Sequence, residues 1–209
     1  MARALLALGL VAALAACTSR PPAPPPSVTG IPATDGFVAC QMGLTSSGAL
    51  FDVLVPLRTR EGCGFDEGIK ITATPSALNQ PAVLACPTAL ALTRFDLDVV
   101  QPAAQRHFGK RVTKIHHVGG YACRGINGSR KMSQHGYGSA IDVIGFDLSD
   151  GTRILVSRDW RAAGPRSGFL HEVARSACNV FRVVLTPAYD KYHHDHFHLD
   201  LGPDRLCGI

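Results

Sequence analysis

The stretch His193-His194-Asp195-His196-Phe197-His198-Leu199-Asp200 constrains this chain more than any other. Four of the nine histidines fall within six positions, and from His196 onward polar and apolar residues alternate. Side chains of a β-strand point alternately to opposite faces. His196 and His198 therefore share one face, while Phe197 and Leu199 share the other and enter a core. A fold that accepts this strand must supply something for the imidazole face. The best source is Ser133-Gln134-His135-Gly136-Tyr137-Gly138-Ser139-Ala140-Ile141-Asp142-Val143. Residues 140–146 also read as a strand, with Asp142 pointing away from Ile141 and Val143. Once the two strands pair, Asp142 meets the histidines. His135 then closes the group from a glycine-rich loop, where Gly136 and Gly138 let the chain bend back. Histidine is the commonest side-chain metal ligand, and catalytic zinc takes three nitrogen or oxygen ligands with one position left open. Two histidines on one strand face, with an Asp and a His at fixed spacing on a neighbour, favour a metal site over an exposed tract with adventitious affinity.

The start of the chain reads as an export signal. Residues 1–16 form an apolar run with one early basic residue, Arg3, too short to span a bilayer as a helix. The run closes on Leu14-Ala15-Ala16-Cys17, which resembles a bacterial lipobox in which Cys17 carries lipid. Thr18 follows the cysteine, and in a cell with two membranes this implies the inner leaflet of the outer membrane, facing the periplasm. Residues 17–36, with Pro21-Pro22-Ala23-Pro24-Pro25-Pro26, read as an extended tether, and residues 37–209 as the folded domain. Beyond Cys17, six cysteines remain: Cys40, Cys63, Cys86, Cys123, Cys178 and Cys207. An even set in an exported chain implies a disulfide framework. Three bridges are expected, with Cys123–Cys178 as one candidate. There is no Cys-x-x-Cys to suggest a thiolate metal site. A net charge of +5 without a clustered basic stripe argues against nucleic acid as a partner and is compatible with an anionic wall polymer.

Periodicity and breakers place strands at 69–73, 112–118, 140–146, 153–156, 181–185 and 196–201, with a hairpin turn at Asp150-Gly151. A helix is expected from Thr88 to about Phe108, with Pro87 as its first-turn residue and a kink or split at Pro102, and another over 167–178. Strands joined by hairpins, with helices set apart from them, imply an α+β domain: a central antiparallel sheet flanked by helices.

The pattern Ser133-x-His135-x-x-Gly138-x-Ala140-x-Asp142-Val143, with the later His196-x-His198, resembles the zinc signature of the hedgehog/D-Ala-D-Ala peptidase superfamily. A closer resemblance is to the bacterial extensin-like C-terminal domain family. It runs from about Cys63 to Asp200 through Cys86-Pro87, Tyr121-Ala122-Cys123-Arg124 and Asp159-Trp160. The family name suggests a plant wall structural protein, but the chain lacks the Ser-Pro-rich repeats that such a protein needs. The resemblance implies a hedgehog/DD-peptidase-like fold and a Zn2+ ion on His135, Asp142 and His198. It implies Asp195 or His196 as the base, with His193 as a further candidate. It also implies that Arg124 meets a substrate carboxylate or the oxyanion, and that Tyr121 and Ser133 touch substrate or order the loop. Structural roles are expected for His116, His117 and Trp160. The implied activity is a zinc-dependent peptidoglycan hydrolase, a D,D- or L,D-endopeptidase or a carboxypeptidase acting on stem peptides. The alternatives are a non-catalytic zinc-containing wall-binding lipoprotein and, more weakly, a zinc buffer.

Overall fold

The computed structural model describes Met1, residues 35–126, Ser129 and residues 131–209. The expected leader, Cys17 and the tether up to residue 34 lie outside the described residues. In chain order the elements are α1 (Asp35–Ser46), β1 (Leu50–Leu54), β2 (Leu57–Arg58), β3 (Gly64–Phe65), β4 (Gly68–Ala73), β5 (Ala77–Ala85) and α2 (Cys86–Arg94). A π-helical turn (Phe95–Val100), α3 (Gln101–Phe108), β6 (Val112–His117), a 3-10 turn (Gln134–Tyr137) and β7 (Ala140–Leu148) follow. The chain ends with β8 (Arg153–Leu155), α4 (Val156–Asp159), α5 (Pro165–Ala177), β9 (Val183–Leu185), a second 3-10 turn (Lys191–His193), β10 (Phe197–Asp200) and β11 (Leu206–Gly208).

A large mixed sheet organises the fold, in the order β1-β4-β5-β6-β7-β10-β9-β11. β7 is its pivot. One edge pairs with β6, while the other carries β10 along residues 140–143 and β8 along residues 145–147. The expectation of an antiparallel sheet holds for most pairs but not for β5–β6 or β9–β11, which are parallel. The first exception has a plain cause: parallel neighbours need a crossover, and the helical run from Cys86 to Phe108 supplies it. That run is interrupted by the π turn at Phe95–Val100, just before the expected break at Pro102. Pro102 has no N–H to continue the α-helical ladder, and a π turn is one way a helix absorbs such a defect.

One apolar cluster joins the sheet to the helices. Ile141, Val143, Phe146, Phe197 and Leu199 from β7 and β10 meet Phe95, Phe169 and Leu170 from the helical side, all with no exposed surface. Burying each such side chain contributes about 1.5–3 kcal/mol. A one-residue slip of β10 would exchange Phe197 and Leu199 for histidines in the core, so the register is strongly specified. The polar face of the two strands is thus fixed by their apolar face.

Three disulfides are formed, Cys40–Cys86, Cys63–Cys123 and Cys178–Cys207. The expected Cys123–Cys178 pair is incorrect. Cys123 lies beside the β2–β3 hairpin and takes Cys63, while Cys178, at the end of α5, takes Cys207 of the edge strand β11. The bridges fit an oxidising, exported environment. The α1 helix, β1, β5 and β11 were not anticipated from the sequence. No helix among the described residues is long and apolar enough to cross a membrane.

Candidate metal centre

His198 of β10 stands directly opposite Asp142 of β7 in the antiparallel register. Directly opposed residues of such a pair share a face, and the two side chains meet: His198 Nδ1 lies 2.9 Å from Asp142 Oδ1. His135 arrives from the first 3-10 turn, its Nε2 being 3.2 Å from His198 Nδ1 and 3.2 Å from Asp142 Oδ2. Local chemistry aims that turn. Ser133 caps it, its hydroxyl accepting from the His135 N–H. Gly138 ends it in the left-handed region at φ 64°. At Gly136 a Cβ would fall 2.8 Å from Met132 Sδ and 3.2 Å from Cys63 Sγ, so a side chain there would have to push Met132 aside. Cys123 is bridged to Cys63, and the next-door Ala122 N–H donates to the His135 carbonyl at 3.0 Å. The Cys63–Cys123 bridge therefore packs directly beneath the turn that presents His135.

The outer nitrogens of the two imidazoles decide what the inner ones are. His135 Nδ1 is 2.6 Å from the Gly120 carbonyl, which can only accept, so Nδ1 carries the hydrogen. His198 Nε2 is 3.1 Å from Asp200 Oδ2, again an acceptor, so Nε2 carries the hydrogen. In their neutral forms His135 Nε2 and His198 Nδ1 are then bare lone pairs, both aimed at the Asp142 carboxylate. Three acceptors converge with no proton between them. A cation answers this arrangement, and the backing by a carbonyl and a carboxylate is the usual outer support of metal-bound imidazoles. The separations fit as well. Ligand distances of about 2.0–2.1 Å place neighbouring donors of a tetrahedral site about 3.3 Å apart, close to the 2.9–3.2 Å seen. His135, Asp142 and His198 thus form a group able to hold a metal ion. Without an ion, burial pushes the Asp142 carboxyl up, but the two imidazoles outweigh it and hold it well below the usual carboxylate range. Burial likewise pulls His198 down, but its hydrogen bonds to the Asp142 and Asp200 carboxylates prevail and push it up to about 9.

Sequence comparison agrees with the folded chain: residues 38–208 match the family described as extensin-like protein C-terminus. The chain belongs to that family. No curated protein and no solved structure matches it.

In this extensin-like domain the remaining candidate residues fall into two groups. His196, Asp195, His193 and Arg124 gather around the three ligands. β10 begins at Phe197, so Asp195 and His196 lie in the preceding turn and are not bound by strand alternation. His196 Nε2 faces the centre, 3.8 Å from Asp142 Oδ1, while its Nδ1 is held by Asp195 Oδ1 at 2.8 Å. Asp195, lowered mainly by that hydrogen bond, stays ionised. The His193 ring lies 5.2 Å from the His196 ring and 5.8 Å from the His198 ring. Its Nδ1 is fixed by Asp190 Oδ1 at 2.7 Å. Burial lowers His193 more than Asp190 raises it, and the neighbouring histidines add to the lowering. Arg124 is half exposed, with Nη2 3.9 Å from Asp142 Oδ2.

The second group does not face the centre through any contact among the described residues. Tyr121 packs edge-on against Phe65 at 5.4 Å and donates its backbone N–H to Val83. Ser133 is buried and acts as the cap. His117 is buried in β6, its Nε2 donating to the Gln80 carbonyl at 2.9 Å. His116 lies 2.9 Å from Asp147, and Trp160 is core. Two carboxylates were missed. Asp200 could have been read from the same period-two alternation that pairs His196 with His198. Asp190 sits three residues before His193, at the cap of a 3-10 turn, where Asp accepts backbone N–H groups.

Proposed function

We propose that the domain is a zinc-dependent peptidase of the exported cell-wall compartment, cutting peptide bonds in peptidoglycan stem peptides. The observation that carries this reading is the set of acceptors on the outer imidazole nitrogens, Gly120 O behind His135, Asp200 behind His198 and Asp195 behind His196. His135 and His198 turn lone pairs toward Asp142, and beside them His196 keeps a third nitrogen, Nε2, open toward the same point. The first three residues would hold the ion. Zinc in such a site supplies Lewis acidity to a water and to the scissile carbonyl. His196 is the general base: its Nε2 accepts the proton of the attacking water, and Asp195 on Nδ1 keeps the ring in the right tautomer and stabilises the imidazolium. Of the two base candidates read from the sequence, Asp195 is thereby the orienting partner. His196 then returns the proton to the leaving amine. Arg124, half exposed at the rim, offers a planar fork to a substrate carboxylate or to the developing oxyanion. His193 lines the same approach.

The resemblance of the His135, Asp142 and His198 segments to the hedgehog/D-Ala-D-Ala peptidase superfamily supports the substrate class. So do the lipobox-like start and the Pro-rich tether, which would anchor the domain by a lipid in the periplasm. Digestion of purified sacculi, followed by mass spectrometry of the released fragments, tests the proposal. Zinc-loaded protein should release muropeptides, chelator should abolish release, and His196→Gln should keep its metal while losing about 10²–10⁴-fold in rate. Binding to sacculi with no fragments released would replace the hydrolase by a wall-binding module.

A further inference from the structure

The parallel pairing of β5 with β6 ends early. Ala77 and Leu78 stand in register with Lys114 and Ile115, and the ladder stops there. Beyond it the exposed residues Asn79 and Gln80 continue the pairing with their side chains. The His117 N–H donates to Asn79 Oδ1 at 2.8 Å, and the His117 carbonyl accepts from Asn79 Nδ2 at 3.1 Å and from Gln80 Nε2 at 3.2 Å. The Asn79 amide thus pairs with both main-chain groups of one residue, as a neighbouring strand would. The buried imidazole is fixed from the same strand. Its Nε2 donates to the Gln80 carbonyl at 2.9 Å, while its Nδ1 has no hydrogen-bond partner among the described residues. Main chain and ring of His117 are therefore both held by the Asn79-Gln80 pair.

The three residues after His117 each touch a metal ligand. The Val118 N–H donates to the Asp142 carbonyl at 3.0 Å, and the Asp142 N–H donates to the Gly119 carbonyl at 3.2 Å. The Gly120 carbonyl accepts the His135 Nδ1–H at 2.6 Å. Tyr121 closes the run, its N–H donating to the Val83 carbonyl at 2.7 Å. Gly120 lies so close to β5 that an added Cβ would fall 2.5 Å from the Val83 oxygen. Residues 118–120 thus connect Asp142 of β7 to the imidazole of His135, and the run is fastened to β5 at both ends. At the Val83 end the fastening is main chain. At the His117 end it is two exposed side chains, which a substitution can remove without opening the core.

We propose that Asn79 and Gln80 are positioning residues for the metal centre. They touch none of its ligands. By holding His117 they keep residues 118–120 in place, and with them the separation of Asp142 from His135. This role rests on the reading of His135, Asp142 and His198 as a metal site. Asn79 carries most of the effect, because it accepts the His117 N–H and also donates to the His117 carbonyl, whereas the Gln80 side chain duplicates only the second contact.

The test uses the full chain, with Zn2+ and Co2+ as probes. In competition with a chromophoric chelator, Asn79→Leu should weaken zinc about tenfold, the lower end of the loss on removing the support behind a metal-bound ligand. Gln80→Leu should weaken it less, and the double variant more than either. The visible spectrum of the Co2+-loaded chain, which follows ligand geometry, should change in Asn79→Leu. Glu172→Gln is the control for stability alone. It loosens the ion pairs of Glu172 with Arg106 and His107 between α3 and α5, so it should lower Tm and leave zinc affinity and the Co2+ spectrum unchanged. In the metal-free chain, hydrogen exchange at the Val118 and Asp142 amides should quicken in Asn79→Leu and not in Glu172→Gln. Unchanged exchange in Asn79→Leu would overturn the assignment, as would a zinc loss in Glu172→Gln equal to that in Asn79→Leu. The two readings fail separately. A parent chain that binds no zinc would overturn the metal centre and this role with it, whereas tight zinc binding by the parent that is indifferent to Asn79→Leu would overturn this role alone.

Discussion

Asp200→Asn is the sharpest probe of the centre, because it changes one atom and leaves the ligands in place. Asp200 is buried, accepts the Gly202 N–H through Oδ1 and the His198 Nε2–H through Oδ2. The Gly202 contact holds the amide oxygen of an asparagine on that side, which turns its NH₂ group toward His198 Nε2. Two donors cannot face each other in a buried site without cost. The relief is to move the imidazole hydrogen to Nδ1, the atom that must be bare to bind metal. Loss of the partner behind a metal-bound histidine costs about 10–100-fold in affinity, or about 1.4–2.7 kcal/mol. The enforced wrong tautomer places Asn at the upper end, while Asp200→Ala, which only removes the acceptor, belongs at the lower. Competition against a chromophoric zinc chelator at pH 7.5 measures both. With saturating metal, the same loss appears as a metal-induced rise in Tm that is about 5–10 °C smaller in Asp200→Asn than in the parent chain. Wild-type affinity in Asp200→Asn, or a larger loss in Asp200→Ala, would refute the fixed-tautomer argument.

Two further expectations concern the frame. Replacing Cys63 and Cys123 together by Ala opens a loop of sequence separation 60 and should cost about 4 kcal/mol in urea denaturation. It should also lower zinc retention on dialysis, because the His135 turn packs on that bridge. Asp147 is held at about 2, first by its hydrogen bond to Arg153, against burial, and then by His116. Its depressed value contributes stability that is present above the unfolded carboxyl pKa near 4 and lost as pH falls through 2. With the Arg153 side chain 56% exposed and solvent-screened, Asp147→Asn should cost about 1 kcal/mol at pH 7, a gap that narrows in denaturation curves taken from pH 5 downward.

Much of the centre was legible because two periodicities act on the same residues. Phe197 and Leu199 had to be buried, so His198 had to face the other way. Ile141 and Val143 did the same for Asp142. Strand alternation then needed only the correct pairing of β7 with β10 to bring the side chains together. What alternation does not encode is pairing between distant segments. The bridges were therefore unreadable, since nothing local to Cys123 prefers Cys63 over Cys178. The parallel β5–β6 pair escaped for a related reason: β5 has an exposed, irregular pattern with Pro81 inside it, and only its first two residues reach β6. The helical break preceding Pro102 was foreseeable as a break but not as a π turn. Asp96, inside that turn, reaches the Thr74 hydroxyl at 2.6 Å and the Ser76 N–H at 2.7 Å, contacts made across the fold that local sequence does not display.

The sequence left the base open, and the outer contacts bear on it more than the inner ones do. Asp190, Asp195 and Asp200 recur at intervals of five, and each fixes one nitrogen of a neighbouring histidine: His193 at 2.7 Å, His196 at 2.8 Å and His198 at 3.1 Å. In the proposed mechanism Asp195 Oδ1 holds the His196 ring against rotation and fixes its tautomer. Keeping the pair intact leaves a single basic nitrogen, His196 Nε2, facing the centre. In the proposed mechanism the two candidates are successive members of one chain of hydrogen bonds. In the same proposal His198, opposite Asp142 in the strand register, is a ligand, while the turn residue His196, backed by Asp195, passes the proton.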